Sequence, residues 1–271
     1  SQCSHPHIVR VYDIFKEDQL WGMTMEYIPG QNLKDYLEQK GALSEEEGLS
    51  YIHQIGDALS FVHSQGFLHR DVKPQNIMLR SIDSDTPDSY EAVLIDFGSV
   101  REFTTGKTET HTNIGTECFA PIEQYEKRAK RGEFTDVYAL AATLYNLLTG
   151  KRPCPSDFRD QGMVLIPPKQ HNLNLSPQVN DTILKGMELR VENRPATIQN
   201  WLNLLSSDLN QFNLDSPEIT FHGNTAHPYV FSKISLSWTN VNFDYLEKLL
   251  DAKRWRDADE ITYRLMLPDK S

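Results

Sequence analysis

The chain has 271 residues, enough for one large domain or two smaller ones. Its 27 Lys+Arg stand against 38 Asp+Glu, a formal net charge of -11, which argues against a general binder of nucleic acid or anionic membrane, since both need a basic surface. No apolar run reaches membrane-spanning length, and Cys3, Cys118 and Cys154 lack C-x-x-C spacing, which argues for a reducing compartment and against a disulfide framework or a zinc site.

Residues 7–15 and 19–28 are β-branched, aromatic and partly alternating, with Lys16, Glu17 and Asp18 between them. They predict two strands joined by a polar turn, and Pro29-Gly30 ends the second. A short helix is expected near 32–40, stopping at Gly41. Residues 45–65 give the clearest helix. Ser44 with Glu47 three residues on is a capping box. Ile52, Ile55, Leu59 and Val62 share one face, and Gly66 sits where a C-terminal cap belongs. Residues 77–81 and 92–97 read as a strand pair around a polar loop from Ser81 to Glu91. Residues 135–149 are apolar on nearly every side, which marks a helix buried in a larger α-rich body; Gly150 and Pro153 stop it. Residues 155–176 are loop-rich, and helices return near 177–188 and 196–207. From 208 to 240 the pattern weakens into a linker. Two amphipathic helices, near 243–252 and 255–267, then form a helix hairpin. His5-Pro6-His7 is the one close histidine pair, and we expect no metal there.

The chemistry is carried by His69-Arg70-Asp71-Val72-Lys73-Pro74-Gln75-Asn76, which fits H-R-D-x-K-x-x-N at every fixed position. Asp96-Phe97-Gly98 lies downstream. Gly115-Thr116 precedes Phe119 and Glu123, Phe134-Thr135-Asp136-Val137-Tyr138 opens the buried helix, and Asn193-Arg194-Pro195 follows later. In this order the motifs resemble the eukaryotic-type protein kinase family, in its bacterial-style Ser/Thr branch, over roughly residues 5–207. The resemblance implies an α+β fold. Residues 1–207 would be a kinase domain with a mainly α large lobe, a remnant two-strand small lobe and a hinge near 26–30.

It also implies roles. Phosphoryl transfer is mostly positioning and charge neutralisation. By resemblance, Asp71 orients the substrate hydroxyl, and Lys73 sits near the γ-phosphate of ATP. Asn76 and Asp96 supply hard oxygen ligands, which suit Mg²⁺. Thr116 completes, with Lys73, the Ser/Thr-specific pattern. Residues 25–30 resemble the adenine-binding hinge. Met25 would be its gatekeeper, the Glu26 carbonyl and the Ile28 backbone would face the base, and Met78 would lie beneath it. Arg70 implies a pocket for a phosphorylated residue, with Thr104, Thr105, Thr108, Thr110 and Thr112 all in the right segment and no choice among them. Glu123 and Arg194 would form a buried structural ion pair, and Asp136 would hold the catalytic loop. ATP and Mg²⁺ are the expected cofactors and a protein the expected substrate, in the cytoplasm, with no nucleic acid or membrane partner.

The pattern also departs from the family. No G-x-G-x-x-G, strand Lys or helix Glu precedes the hinge, Lys16 lies in a turn, and Pro121-Ile122-Glu123 stands where Ala-Pro-Glu is usual. The expected account is an N-terminally truncated piece of a complete kinase. The alternative is a degenerate, non-catalytic kinase-like binding module. Tyr245-Leu-x-x-Leu-Leu250 and Trp255-x-x-Ala-Asp-x-x-Thr262 resemble the opening of the genomes-uncoupled-four family, which binds porphyrins and regulates magnesium chelatase in oxygenic phototrophs. On that resemblance residues 241–271 begin a helical domain of this kind, and the parent is a cyanobacterial kinase. A tetrapyrrole-responsive regulator is then a third reading, with the tetrapyrrole bound only through a complete C-terminal domain. A generic helix hairpin is the plain alternative.

Overall fold

Local signals in the chain set most of the elements seen in the computed structural model, whose described residues are 5–17, 20–82, 89–97, 101–102, 118–126 and 129–206. Strands β1 (Val11–Glu17) and β2 (Leu20–Met25) form an antiparallel pair, with Phe15 opposite Gly22. The sequence suggested a longer first strand. Residues 7–9 instead leave β1 and bond to a different strand: Leu94 N–H donates to the His7 carbonyl and Val9 N–H to the Leu94 carbonyl. One straight strand cannot serve both partners, and the register slips between Val11 and Asp13. The second strand ends early as well, at Met25: Glu26 N–H still donates to the Arg10 carbonyl, and Pro29 beyond it has no N–H to give. After Pro29-Gly30 the chain turns and pairs with the strand at Ile77–Ser81, through Leu79 N–H to the Gln31 carbonyl. Gly30 makes this close approach: its φ is 143° and a Cβ there would collide with the Leu79 carbonyl.

Helix α1 (Leu33–Lys40) starts at Asn32, whose side chain accepts from Asp35 N–H. Helix α2 (Glu45–Ser64) starts at Ser44, whose hydroxyl accepts from Glu47 N–H at 3.2 Å. Only half of the predicted capping box forms. The Glu47 carboxylate turns away to take bonds from Tyr36, Lys40 and Tyr51. Charged and phenolic donors outcompete one backbone N–H. The face of α2 read from periodicity, Ile52, Ile55, Leu59 and Val62, is buried.

A two-residue strand β3 (Phe67–Leu68) leads through a loop and a 3₁₀ turn (Pro74–Asn76) into β4 (Ile77–Ser81), which pairs antiparallel with β5 (Tyr90–Leu94). β5 therefore ends before residues 95–97, which the sequence placed in the strand. β6 (Arg101–Glu102) pairs with β3. The free edge of β5 is covered by residues 7–9 and by the Gln54 side chain, which accepts from Ala92 N–H at 2.6 Å.

Helix α3 (Glu133–Thr149) is the axis of the larger body, and every residue from Thr135 to Thr149 is buried. Each Leu there contributes about 1.5–3 kcal/mol relative to exposure. Gly150 ends the helix in the left-handed conformation and donates to the Asn146 carbonyl. Two short helices, α4 (Ser156–Asp160) and α5 (Pro168–His171), lie in the stretch read as loop. They are too short for a periodic signal. Helices α6 (Pro177–Gly186) and α7 (Ile198–Ser206) follow, and α2, α6 and α7 all pack on α3. The few strands stand in separate small sheets beside this helical body, so the fold is α+β.

Candidate active site

The segment 69–76 hangs from α3 by one carboxylate. Asp136, fully buried in the first turn of α3, accepts from Arg70 N–H at 2.7 Å, His69 N–H at 2.9 Å and His63 Nε2 at 2.7 Å. Those bonds hold Arg70 at a φ of 68°, a conformation that a non-glycine residue keeps only where its surroundings over-determine it. The 3₁₀ turn beyond begins at Pro74, whose fixed φ suits it.

This geometry gathers three side chains. Lys73 Nζ lies 2.8 Å from Asp71 Oδ2. Asn76 Nδ2 donates to Asp71 Oδ2 at 2.9 Å and to the Asp71 carbonyl at 2.8 Å. The amide nitrogen of Asn76 is thereby committed, which leaves its carbonyl oxygen for a cation. Ile95 N–H donates to the main-chain carbonyl of Asn76 at 2.9 Å and brings the exposed Asp96 alongside, itself at a φ of 62°. Phe97 packs edge-on against the buried His69 ring, with centroids 5.0 Å apart. One exposed carboxylate beside one amide oxygen is a hard, incomplete donor set. It fits a divalent cation whose remaining ligands are phosphate and water.

The residues read from the sequence as a hinge lie between β2 and β4. Glu26 N–H donates to the Arg10 carbonyl, and the Glu26 carboxylate binds Arg80 at 2.6 Å. Ile28 is buried in a small cluster with Val9 and Val93, and Met25, Met78 and Phe97 pack against it. Met25, Ile28 and Met78 thus meet in space although they are far apart in sequence.

Behind the site, Glu123 and Arg194 pair at 2.7 Å, both nearly inaccessible to water. Thr135 donates to the same carboxylate at 3.2 Å. Arg194 spends its remaining donors on the carbonyls of Phe134, Glu188 and Leu189. Gly98, Thr104, Thr105, Thr108, Thr110, Thr112, Gly115 and Thr116 lie outside the described residues, as do residues 207–271. His5 and His7 stay close, but His5 stacks on Phe61, and no metal-holding cluster of His, Cys, Asp or Glu occurs among the described residues.

Two functional contacts escaped the sequence reading. Gln124 Nε2 donates to the Arg70 carbonyl at 2.9 Å and ties the 118–126 segment to the 69–76 loop. A lone Gln in a loop carries no sequence signal. His63 is the other. It follows the apolar face of α2 and looks like its polar end, yet it is buried against α3. Its Nε2 meets Asp136, and its Nδ1 lies 3.3 Å from Glu133, an ion-pair contact without hydrogen-bond alignment.

Burial pulls the His63 pKa down, but Asp136 and Glu133 together outweigh it and hold it above the usual histidine value. Burial also acts on Asp136, pushing it up, and hydrogen bonds and charge from His63 hold it below the usual carboxylate value. His69 moves the other way, because burial dominates there and lowers it. A histidine raised in the folded state adds stability that is complete below its unfolded pKa of about 6.5 and is lost as pH rises through the folded value. Denaturant melts from about pH 6 to about pH 9 should therefore contain a falling contribution from His63, opposed by His5, His53 and His69, whose lowered values act in the other sense, and His63→Asn should remove the falling part of the slope. An equally steep slope in the variant would assign the loss to other groups.

Comparison with known proteins places this geometry. A sequence profile for the family described as protein kinase domain matches residues 1–209. A probable serine/threonine-protein kinase of Clostridium perfringens is 33% identical over 231 residues, covering 82% of this chain and 32% of that protein. Serine/threonine-protein kinase B of Synechocystis is 31% identical over 211 residues, 74% of this chain and 35% of that protein. PrkC of Bacillus subtilis, also a serine/threonine-protein kinase, is 35% identical over 158 residues, 56% of this chain and 22% of that protein. The chain spans about a third or less of the length of these relatives. With a profile match over most of its length and a carboxylate, lysine and asparagine gathered on a loop hung from Asp136, the chain belongs to the protein kinase domain family.

Proposed function

We propose that this chain carries the hinge, catalytic loop and substrate-facing wall of a Ser/Thr protein kinase, which moves the γ-phosphate of Mg·ATP to a protein hydroxyl. The observation that carries this is the arrangement of Asp71, Lys73 and Asn76, in which Lys73 and Asn76 both bond Asp71 within 3 Å on a loop suspended from Asp136. The named Ser/Thr kinases among its relatives support the same reading.

The residues divide the work. Asp71 presents a carboxylate oxygen to the incoming hydroxyl, orients its lone pair and accepts its proton. The Lys73 ammonium offsets negative charge where it grows. Asn76 Oδ1 and Asp96 hold the cation, which we take as Mg²⁺ and which neutralises phosphate charge when bound. Met25, Ile28 and Met78 form the apolar bed for the base, and the Glu26 carbonyl and Ile28 backbone take its polar edge. Glu123, Asp136 and Arg194 keep the loop and the activation segment in register. The regulatory reading of Arg70, with a phosphate on one of Thr104, Thr105, Thr108, Thr110 or Thr112, and the place of Thr116 beside Lys73 rest on the sequence. So do a cytoplasmic setting, a cyanobacterial parent and the tetrapyrrole domain beginning at 241–271. No helix among the described residues is long and apolar enough to cross a membrane.

Thermal unfolding with and without saturating Mg·ATP tests the reading. Ligand at about 100 times its Kd adds about 2.7 kcal/mol, a shift of several degrees at this size. Asp96→Ala should abolish the shift. A full shift in that variant would remove Asp96 from the nucleotide site.

A further inference from the structure

Helix α4 is held unlike the long helices α2 and α3. None of its side chains belongs to the hydrophobic core. Phe158 and Asp160 are exposed, as are Met163 and Val164 just beyond it. Polar bonds hold the helix instead. Ser156 is fully buried and its hydroxyl donates to the Ala120 carbonyl at 2.7 Å. Arg159 Nη1 donates to the Met187 carbonyl at 2.7 Å and to the Tyr138 hydroxyl at 3.2 Å. The Tyr138 ring in turn lies under the Arg194 guanidinium, 5.0 Å from its carbon, and Arg194 grips Glu123.

Both routes converge on the same segment. Ala120 is held directly and Glu123 through Tyr138 and Arg194. The next residue, Gln124, touches the carbonyl of Arg70, the neighbour of Asp71. An element bound to its surroundings by directional bonds, with no share in the core, fixes where something sits more than whether the protein folds.

We propose that Ser156 and Arg159 are positioning residues that set the affinity for the protein substrate by fixing the wall formed by residues 118–125 against the catalytic loop. This rests on the kinase reading above. The bonds of these two side chains named above go to Ala120, Tyr138 and Met187 and to no residue of the proposed nucleotide site, so nucleotide affinity should be independent of them.

Steady-state phosphate transfer by the full-length protein tests this, with Mg·ATP and myelin basic protein as a generic acceptor varied in turn. In Ser156→Ala the KM for the acceptor should rise roughly tenfold, because a displaced wall loses contacts to the acceptor that are made equally before and during transfer, while KM for ATP and kcat stay within about twofold. Arg159→Ala should act in the same direction. Arg159→Lys, on a half-exposed position, keeps the charge and a nitrogen with more than one N–H, but its stem is one atom shorter than the path to Nη1, which makes both bonds; it should give a smaller rise. A fall in kcat with both KM values unchanged would mean a lost folded fraction and would overturn the proposal. A parallel rise in both KM values, or no change in any variant, would also overturn it. If Ser156→Ala does not fold, the two Arg159 variants decide. Absence of transfer to any hydroxyl acceptor by the unmodified protein would overturn the kinase reading and this inference with it. Normal transfer with an unmoved acceptor KM in the variants would overturn this inference alone.

Discussion

Asp71→Asn is expected to lower phosphate transfer by about 10²–10⁴-fold, the usual contribution of a positioned acid–base group. The protein should stay folded. The substitution keeps the shape of the side chain, and the catalytic loop does not depend on its charge: Asp136 holds the loop through the backbone of His69 and Arg70. What is lost is the acceptor for the hydroxyl proton and one partner of Lys73, whose Nζ lies 2.8 Å away. The Lys73 ammonium then draws on other acceptors and no longer sits where Asp71 had fixed it. Single-turnover measurements of the full-length protein, with a melting curve for each variant, separate these effects. A rate within about tenfold of the unmodified protein would remove Asp71 from the proton path. A lost melting transition would instead make it a structural residue.

The largest loss of stability is expected from Arg194→Met. Its guanidinium pairs with Glu123 at 2.7 Å, with 0% and 3% side-chain exposure at the two partners. Removing one member of a buried pair leaves an uncompensated charge, at a cost of about 3–5 kcal/mol. At about 2–4 °C per kcal/mol for a domain of this size, the midpoint should fall by roughly 10 °C. Adding Glu123→Met should recover part of that, since no buried charge then remains. Recovery stays incomplete, because the carbonyls of Phe134, Glu188 and Leu189 lose their donor in both variants. A double variant as unstable as the single one would show that these carbonyl bonds, and not the ion pair, hold the segment. Activity should follow stability here, because Glu123 anchors the segment that Gln124 ties to Arg70.

Local chemistry determined much of this protein. Ser44, Asn32 and Gly150 act at helix ends as their side chains or their freedom of φ dictate. The periodicity of Ile52, Ile55 and Leu59 fixes one buried face of α2, and the all-round apolar content of 135–149 fixes α3 as the axis. The order of His69 to Asn76, Asp96, Asp136 and Arg194 was enough to mark the family, because residue type and spacing are carried by the chain itself. Strand ends were less legible. Residues 7–9 carry the composition of β1, yet their backbone bonds go to Leu94 on another sheet. Hydrogen-bond partners are chosen by what folding brings near, and composition cannot name them.

Tertiary structure alone decided the wiring of the site. His63 reads as the polar end of an amphipathic helix, and only the packing of α2 on α3 turns it into a third partner of Asp136. Gln124 and Ser156 are uncharged polar side chains in stretches without periodicity, and each becomes a tether when the fold sets a backbone carbonyl within reach. Glu47 looked like half of a capping box until Tyr36, Lys40 and Tyr51 offered it stronger donors. The reason is common to all of them. A polar side chain takes the best partner available once water is removed, and the identity of that partner is a property of the assembled core.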